Sequence, residues 1–277
     1  MATTTTPMTS PTSPARDLGL ADGVARQVDY WSTVYRRTWR GTVISSFVTP
    51  VFYVLAMGVL LGGFIEADPA QLEGATSYLA FVVPGLVAAH AMQTGVGETT
   101  WPVMAMIKWQ RIYDSMLATP LQIRHLVAAH LGFVTFRLVT TCAVFMVTLV
   151  PFGVFETWWG VVLAFLSQVL VGLAFATVTY GLASRMKSED GFGVLFRLVV
   201  APLFLFSGAF FPIGSLGEVG AWVARVTPLW HGVNLSRMFC LDTVDWSTAA
   251  INVAVLLAMT VFGWWWSVTG LTRRLIK

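Results

Sequence analysis

Charged side chains are scarce in this 277-residue chain. Lys, Arg, Asp and Glu together make up 11% of the residues, and hydrophobic types make up 56%. A typical soluble domain carries roughly 25% charged residues. One soluble core cannot bury so much apolar surface, so the composition predicts an integral membrane protein. Cysteine is also scarce: Cys142 and Cys240 lie in different segments, and a disulfide scaffold or cysteine-based metal site is not indicated.

Signatures of nucleotide binding and catalysis are missing as well. The stretch 181–188 approximates a phosphate-binding loop, but Met186 stands where that loop needs its second glycine. Acidic residues do not cluster with the four histidines, His90, His125, His130 and His231. Neither an HExxH nor a GxSxG motif is present. We therefore expect no cofactor, metal or catalytic residue in this chain, and any ATP and Mg²⁺ on a separate subunit.

The positive charge is modest and local. The formal net charge is +3, and the one short basic run, Arg36, Arg37 and Arg40, precedes an apolar stretch. Such a position favours lipid headgroups over nucleic acid as the partner.

Six apolar runs reach or approach the roughly 20 residues that cross a bilayer. In order they are Thr42–Phe64, Tyr78–Thr99, Leu126–Phe152, Trp158–Ser184, Val194–Phe211 and Thr248–Leu271, here called spans 1 to 6. The sequence thus predicts an all-α integral membrane protein with a six-span domain over residues 41–277.

The region before span 1 divides into two parts. Residues 1–22 are largely Thr, Ser and Pro, which predicts a disordered cytoplasmic tail, and they lack the apolar core of a signal peptide. Residues 23–40 place Val24, Val28, Trp31, Val34 and Tyr35 at helical spacing. This pattern predicts an amphipathic helix at the membrane interface; the alternative is a plain linker.

Lys and Arg fall almost entirely on one side of the predicted spans. The tail and the segments after spans 2, 4 and 6 are basic, whereas the other loops carry mainly acidic residues besides Arg225 and Arg237. The positive-inside rule then predicts that both termini lie in the cytoplasm.

The polar stretch Ile107–Leu121 lies between spans 2 and 3 on the predicted cytoplasmic side. As a single helix it would place Trp109, Ile112 and Met116 on one face, with charged residues elsewhere. Pro120 should end that helix at or before Thr119. Such a ridge fits a groove on a partner protein; the alternative is a helix resting on lipid headgroups.

Between spans 5 and 6, the stretch 212–246 is long and largely apolar. Pro212 and Pro228 divide it into two pieces that are each too short to cross a bilayer. We expect two re-entrant helices, because irregular backbone at membrane depth must be covered by protein or water. The alternative is an ordinary external loop with an amphipathic helix.

Three charges fall within spans, where charges are costly and usually functional. Glu98 and Arg137 could form an ion pair or line a polar path, and Arg197 could extend its side chain to the inner surface. In span 1, Gly58 and Gly62 form a GxxxG pattern that would suit a homodimer contact.

Four stretches together resemble the permease subunits of ABC-2 type exporters, most closely the lipooligosaccharide and nodulation-factor export permeases of the nodulation J type. They are SYLAFVVPGLVAAHAMQTG from Ser77, QRIYDSMLATPL from Gln110, LFSGAFFP from Leu205 and TPLWHGVNLSR from Thr227. The resemblance implies six spans, an interfacial helix, a cytoplasmic coupling helix and re-entrant helices. It also implies that two permeases, identical or paralogous, work with two ATPase subunits.

Carried onto this sequence, the resemblance assigns residues to two regions. The ATPase-coupling residues would be Trp109, Arg111, Ile112, Asp114, Met116 and Thr119. The gate and re-entrant residues would be Ser207, Gly208, Phe211, Pro212, Pro228, Leu229 and His231. The implied cargo is an amphiphile such as a glycolipid, lipooligosaccharide or polysaccharide. Alternatives are drug or antibiotic efflux by the same fold, a passive channel, and, in a different class, a membrane-embedded lipid-modifying enzyme.

Overall fold

The structure is a computed structural model that describes residues 19–53, 55–56, 72, 75 and 77–276. This part of the chain is helical and contains no β-strand, as the sequence predicts. The α-helices, in order, are α1 Leu20–Ala25, α2 Val28–Tyr53, α3 Tyr78–Thr99, α4 Trp101–Met104, α5 Ile112–Leu117, α6 Ile123–Leu149, α7 Trp158–Ala183, α8 Asp190–Leu195, α9 Ala201–Phe206, α10 Gly217–Val226, α11 Pro228–Cys240 and α12 Trp246–Leu275.

Four helical stretches are long and apolar enough to cross a membrane. They are Tyr78–Trp109, Ile123–Phe152, Trp158–Ala183 and Trp246–Leu275, and they correspond to predicted spans 2, 3, 4 and 6. The span 5 segment is helical from Asp190 to Phe206 through α8, a π-helical turn and α9. Most of the predicted tail, the second half of span 1 and the Gly58–Gly62 pattern lie outside the described residues.

Polar caps explain where three of the longer helices begin. The Ser77 side chain accepts a hydrogen bond from the backbone N–H of Ala80 at the start of α3. Thr227 caps α11 with Pro228 in its first turn, and Asp245 caps α12. Each cap satisfies backbone N–H groups that have no partner inside the helix.

Helix α7 lies at the centre and packs against α3, α6, α11 and α12. Its approach to α3 is close because glycine faces glycine. A Cβ added to Gly95 would lie 3.0 Å from the carbonyl carbon of Gly172 and closer still to its oxygen. The hydroxyls of Thr99 and Thr179 bond further along the same helices, so α3 and α7 run parallel with their backbones almost in contact.

Helices α1 and α2 run alongside α6 in the same direction. The Gln27 amide donates to the His125 carbonyl at 3.1 Å, Trp31 stacks on Phe133 with ring centroids 4.6 Å apart, and Tyr35 meets Phe136 further along. The apolar face predicted for residues 23–40 is therefore covered largely by α6.

The predicted end of the interfacial helix at Arg40 and the predicted start of span 1 at Thr42 fall within one helix. Helix α2 continues through both residues to Tyr53. The apolar side that packs on α6 continues past Gly41: Phe47 and Val51 line a cavity together with Val147 of α6. Packing against α6 thus continues on both sides of Arg40, which favours one uninterrupted helix.

The segments predicted to be cytoplasmic meet at one end of the bundle. Lys108, after α4, pairs with Glu189 before α8 at 3.0 Å. Arg274, near the end of α12, donates to the Met186 carbonyl at 2.6 Å. The loops that follow α6 and α11 meet at the opposite end, where the Glu156 N–H donates to the Cys240 carbonyl at 3.1 Å. We call these the basic end and the opposite end.

Candidate functional site

The chain reverses direction at the basic end, between α4 and α6. A π-helical turn, Ala105–Trp109, follows α4, and α5 then begins after Arg111, whose φ of 49° is left-handed. Trp109 and Ile112 therefore belong to different helices, and the predicted single ridge through Trp109, Ile112 and Met116 is wrong. A left-handed residue other than glycine interrupts a helix and costs about 1–2 kcal/mol, which periodicity alone does not reveal.

The predicted end of the short helix is confirmed. Helix α5 ends at Leu117, before Pro120, as the steric restriction on the residue before proline requires.

The outer surface of this reversal is exposed and mixed in character. Trp109 is 53% exposed, and Arg111, Asp114 and Thr119 are exposed beside it. Ile112 and Met116 are half-buried and pack against the apolar core of the basic end. We call the exposed surface formed by Trp109, Arg111, Asp114 and Thr119 the α5 face. It presents an aromatic ring, a cation and an anion within one short segment, a combination suited to docking in a partner's groove.

Tyr113 fixes α5 to the bundle. Its side chain is fully buried, and its hydroxyl lies 2.7 Å from Nδ1 of His130 in α6 and 2.8 Å from the hydroxyl of Tyr180 in α7. Burial raises the pKa of Tyr113 well above its ordinary value, so the hydroxyl keeps its proton. Tyr113 was not among the residues predicted from the sequence. An aromatic side chain within a polar, solvent-facing stretch was the signal that could have indicated its burial.

The Lys108–Glu189 pair connects the same region to the segment leading into α8. A hydrogen bond from its own backbone, followed by the Lys108 ammonium, lowers the pKa of Glu189. Both side chains are substantially exposed, so salt screens this pair and we assign it little stability.

Glu98 and Arg137 form an ion pair, one of the two arrangements that the sequence allowed. Their oxygen and nitrogen are 3.1 Å apart, and both side chains are mostly buried. The pair links α3 to α6. Arg197 does not join it: its side chain is exposed in the π-helical turn Phe196–Val200, where the neighbouring Phe196 stacks on Trp101.

At the opposite end, the turn after α9 is held in place by its neighbours. Ser207 and Gly208 are buried, and Gly208 has a φ of +80°, which favours glycine. An Nη2–H of Arg237 in α11 donates to the Gly208 carbonyl at 2.8 Å. Arg237, counted among the external loop charges, is in fact a buried residue that fixes this turn.

The remaining predicted gate residues have different environments. Phe211 is exposed and Pro212 is half-buried. Leu229 is fully buried, whereas His231 contacts Asn252 of α12, with Nδ1 and Oδ1 2.7 Å apart. These four side chains thus differ in exposure and in their contacts.

The stretch after Pro212 forms two short helices, as predicted. Helix α10 has ten residues and α11 has thirteen, and Thr227 separates them. Helix α11 is buried against α3, α7 and α12. Helix α10 instead exposes a row of large apolar side chains: Val219, Trp222, Val223 and Val226.

These features define a multi-pass membrane protein with a structured polar reversal at one end of the bundle. Within the described ranges, no group of three or more His, Cys, Asp or Glu residues could hold a metal ion. Residues 30–241 match the ABC-2 type transporter family, and the chain belongs to this family. It is accordingly a transport subunit of an ABC exporter rather than an enzyme.

Curated relatives agree with this assignment and with the resemblance noted in the sequence. The chain is 28% identical to nodulation protein J of Rhizobium leguminosarum bv. trifolii over 89% of this chain and 94% of the relative. It is 27% identical to nodulation protein J of Bradyrhizobium diazoefficiens over 94% of this chain and all of the relative. The nodulation protein J of Sinorhizobium fredii is 27% identical over 89% and 94%, respectively. No solved structure matches the chain significantly.

Proposed function

We propose that this chain is the permease subunit of an exporter driven by a separate ATP-hydrolysing subunit, present in two copies. The observation that carries the proposal is the α5 face, an exposed and rigidly backed surface in a chain of the ABC-2 family. ATP and Mg²⁺ would be bound by the ATPase.

The α5 face would be the ATPase contact. Along the sequence, Trp109 and Thr119 are the first and last residues of this face, with the exposed Arg111 and Asp114 between them. The buried Tyr113 holds the segment from behind, so a force applied to the face moves neighbouring helices instead of bending a loop. Ile112 and Met116, half-buried, would support the contact surface.

We propose a bacterial plasma-membrane location with six spans and the basic end in the cytoplasm. The positive-inside rule supports this orientation, and so does the meeting of the predicted cytoplasmic segments at a single end. The two spans beyond the four long helices would be the α2 region and the stretch α8 to α9.

The transport path would form between two permease copies, identical or paralogous. Apolar side chains of α9 and α10 are exposed next to one another, including Phe206 and Val223, which line a common cavity of about 510 Å³. A second copy or membrane lipids would cover this surface. Helices α10 and α11 would dip into the membrane as re-entrant helices and serve as the outer gate.

The cargo would be an amphiphile such as a glycolipid, lipooligosaccharide or polysaccharide. The likeness to nodulation protein J, within the export permeases that the sequence resembles, supports this class. The apolar cavity beside α10 suits the lipid part of such a molecule.

The test is to coexpress the chain with a candidate ATPase encoded beside it and to change the α5 face. The double variant Arg111→Ala, Asp114→Ala should lose export and the ATPase stimulation caused by the permease. Arg26→Ala, Asp29→Ala is the matched control, because it removes one exposed cation and one exposed anion at the same end. Unchanged export and ATPase stimulation in the α5 variant would disprove the assignment.

A further inference from the structure

His130 lies where five helices meet. Its ring contacts Tyr113 of α5 and Tyr180 of α7. It also packs against Trp31 of α2 at a centroid distance of 4.7 Å, and its ring lies beside the backbone of Glu98 in α3. His130 itself belongs to α6 and is only 2% exposed.

The sequence leaves the Glu98 carbonyl open to such a neighbour. In a continuous helix this carbonyl would accept from the N–H of the residue four positions later, which is Pro102. Proline has no N–H, so the His130 ring can serve as the donor instead. Helix α3 ends at Thr99, directly before the short α4.

A donor nitrogen facing Glu98 would set the direction of the hydrogen bonds among His130, Tyr113 and Tyr180. A neutral imidazole has one donor and one acceptor nitrogen. If the nitrogen that faces Glu98 donates, Nδ1 must accept, so the Tyr113 hydroxyl donates to Nδ1. The Tyr113 oxygen then accepts from the Tyr180 hydroxyl at 2.8 Å. The chain of bonds runs from Tyr180 through Tyr113 to His130, and the His130 ring lies beside the Glu98 carbonyl.

We infer that the Tyr113–His130 contact is the connection through which movement of α5 reaches the rest of the permease. This inference rests on the proposed function and deepens it. Helix α5 has only six residues, too few to be stable without tertiary contacts, and Tyr113 is its buried residue. His130 and Tyr113 are positioning residues, since they act through the α5 face and contact neither ATP nor cargo.

The network also reaches the ion pair between α3 and α6. Glu98, whose backbone lies beside the His130 ring, places a carboxylate oxygen 3.1 Å from a guanidinium nitrogen of Arg137. A shift of α5 therefore moves His130 and, through one residue, both the end of α3 and the middle of α6. A helix resting on headgroups would have no such link.

The first experiment measures whether Tyr113 anchors α5, using amide hydrogen exchange on the full chain in nanodiscs. Tyr113→Phe keeps the ring and removes the hydroxyl. We expect exchange across Ile112–Leu117 about tenfold faster, the change expected when a buried hydrogen-bond partner is lost. Tyr35→Phe is the matched control, since it removes a hydroxyl from a half-buried ring of α2 outside the network. Equal exchange in the two variants would overturn the inference.

The second experiment measures how well movement of α5 reaches the rest of the permease. The readout is cargo exported per ATP hydrolysed, with permease and ATPase together in proteoliposomes. Tyr113→Phe should assemble with the ATPase and hydrolyse ATP near the wild-type rate, yet export about tenfold less per ATP. His130→Gln keeps a donor and an acceptor, so it should retain more coupling than His130→Leu. A purely structural role would instead lower assembly and hydrolysis together and leave the ratio unchanged, which contradicts the inference.

The outcomes separate this inference from the proposed function. If the wild-type complex shows no ATP-driven export, the proposed function fails and the transmitting role fails with it, while hydrogen exchange still decides whether α5 is anchored. If wild-type export is normal and Tyr113→Phe exports normally per ATP, only the inference fails. Should Tyr113→Phe not fold, Tyr180→Phe serves in both experiments, with a smaller expected change because the bond between Tyr113 and His130 remains.

Discussion

The close approach of α3 and α7 makes a quantitative prediction for Gly95→Ala. The new Cβ would lie 3.0 Å from the Gly172 carbonyl carbon and 3.3 Å from its Cα, with the carbonyl oxygen closer still. These are backbone atoms, so no side-chain rotation relieves the overlap and the two helices must separate. Overpacking of this kind costs about 1–3 kcal/mol, and here we expect the upper part of that range.

Gly97→Ala is an internal control two residues away in the same helix. A Cβ at Gly97 meets nothing within 4 Å, and alanine stabilises a helix by roughly 1 kcal/mol relative to glycine. Both alanines gain this helix propensity, so the two variants should differ by the overpacking cost alone, about 2–3 kcal/mol in unfolding free energy. Equilibrium unfolding in mixed micelles measures the difference. If Gly95→Ala proves as stable as Gly97→Ala, the packing of α3 on α7 described here is incorrect.

Three further predictions concern the ends of the bundle. Gly23→Ala should lower the melting temperature and release α1 from α6, because its Cβ would lie 2.7 Å from Cδ2 and Nδ1 of His125; an unchanged melting temperature would contradict this contact. Arg111→Val should destabilise the reversal by about 1–2 kcal/mol relative to Arg111→Gly, because only glycine adopts a left-handed φ without strain; limited proteolysis between α4 and α6 measures it, and equal cleavage rates would refute the turn. Hydrogen bonds, the first of them from the Thr248 hydroxyl, lower the pKa of Asp245 in the folded protein. The ionised Asp245 should therefore stabilise the fold above the ordinary aspartate pKa of about 3.9, and this stabilisation should be lost as pH falls through the lower pKa of the folded state. A pH titration of the unfolding free energy should show this component in the wild type and not in Asp245→Asn.

Several features could be predicted from sequence because they depend on neighbouring residues. Hydropathy located the four long helices, and proline chemistry located the end of α5 before Pro120 and the break before Pro228. The Glu98–Arg137 pair was one of the two arrangements that the high cost of charges among apolar residues allowed. Each of these inferences needs only local composition and the known preferences of a few residue types.

Other features depend on contacts that no local pattern reveals. Arg111 adopts a strained conformation because Tyr113, two residues later, is fixed inside the bundle. Helix α2 continues past Arg40 because α6 offers it a packing surface along its length. Pro102 was a usable local signal, since it leaves the Glu98 carbonyl without a donor, but the identity of the replacement donor required the fold.

The central claim is that the α5 face receives work from a separate ATPase, and site-specific crosslinking tests it most directly. Both native cysteines are buried, so Asp114→Cys adds one accessible thiol on α5 and Asp242→Cys adds one at the opposite end. In membranes containing the candidate ATPase, Asp114→Cys should crosslink to the ATPase and Asp242→Cys should not. A crosslink from Asp242→Cys, or its absence from Asp114→Cys in a complex that exports cargo, would contradict the claim.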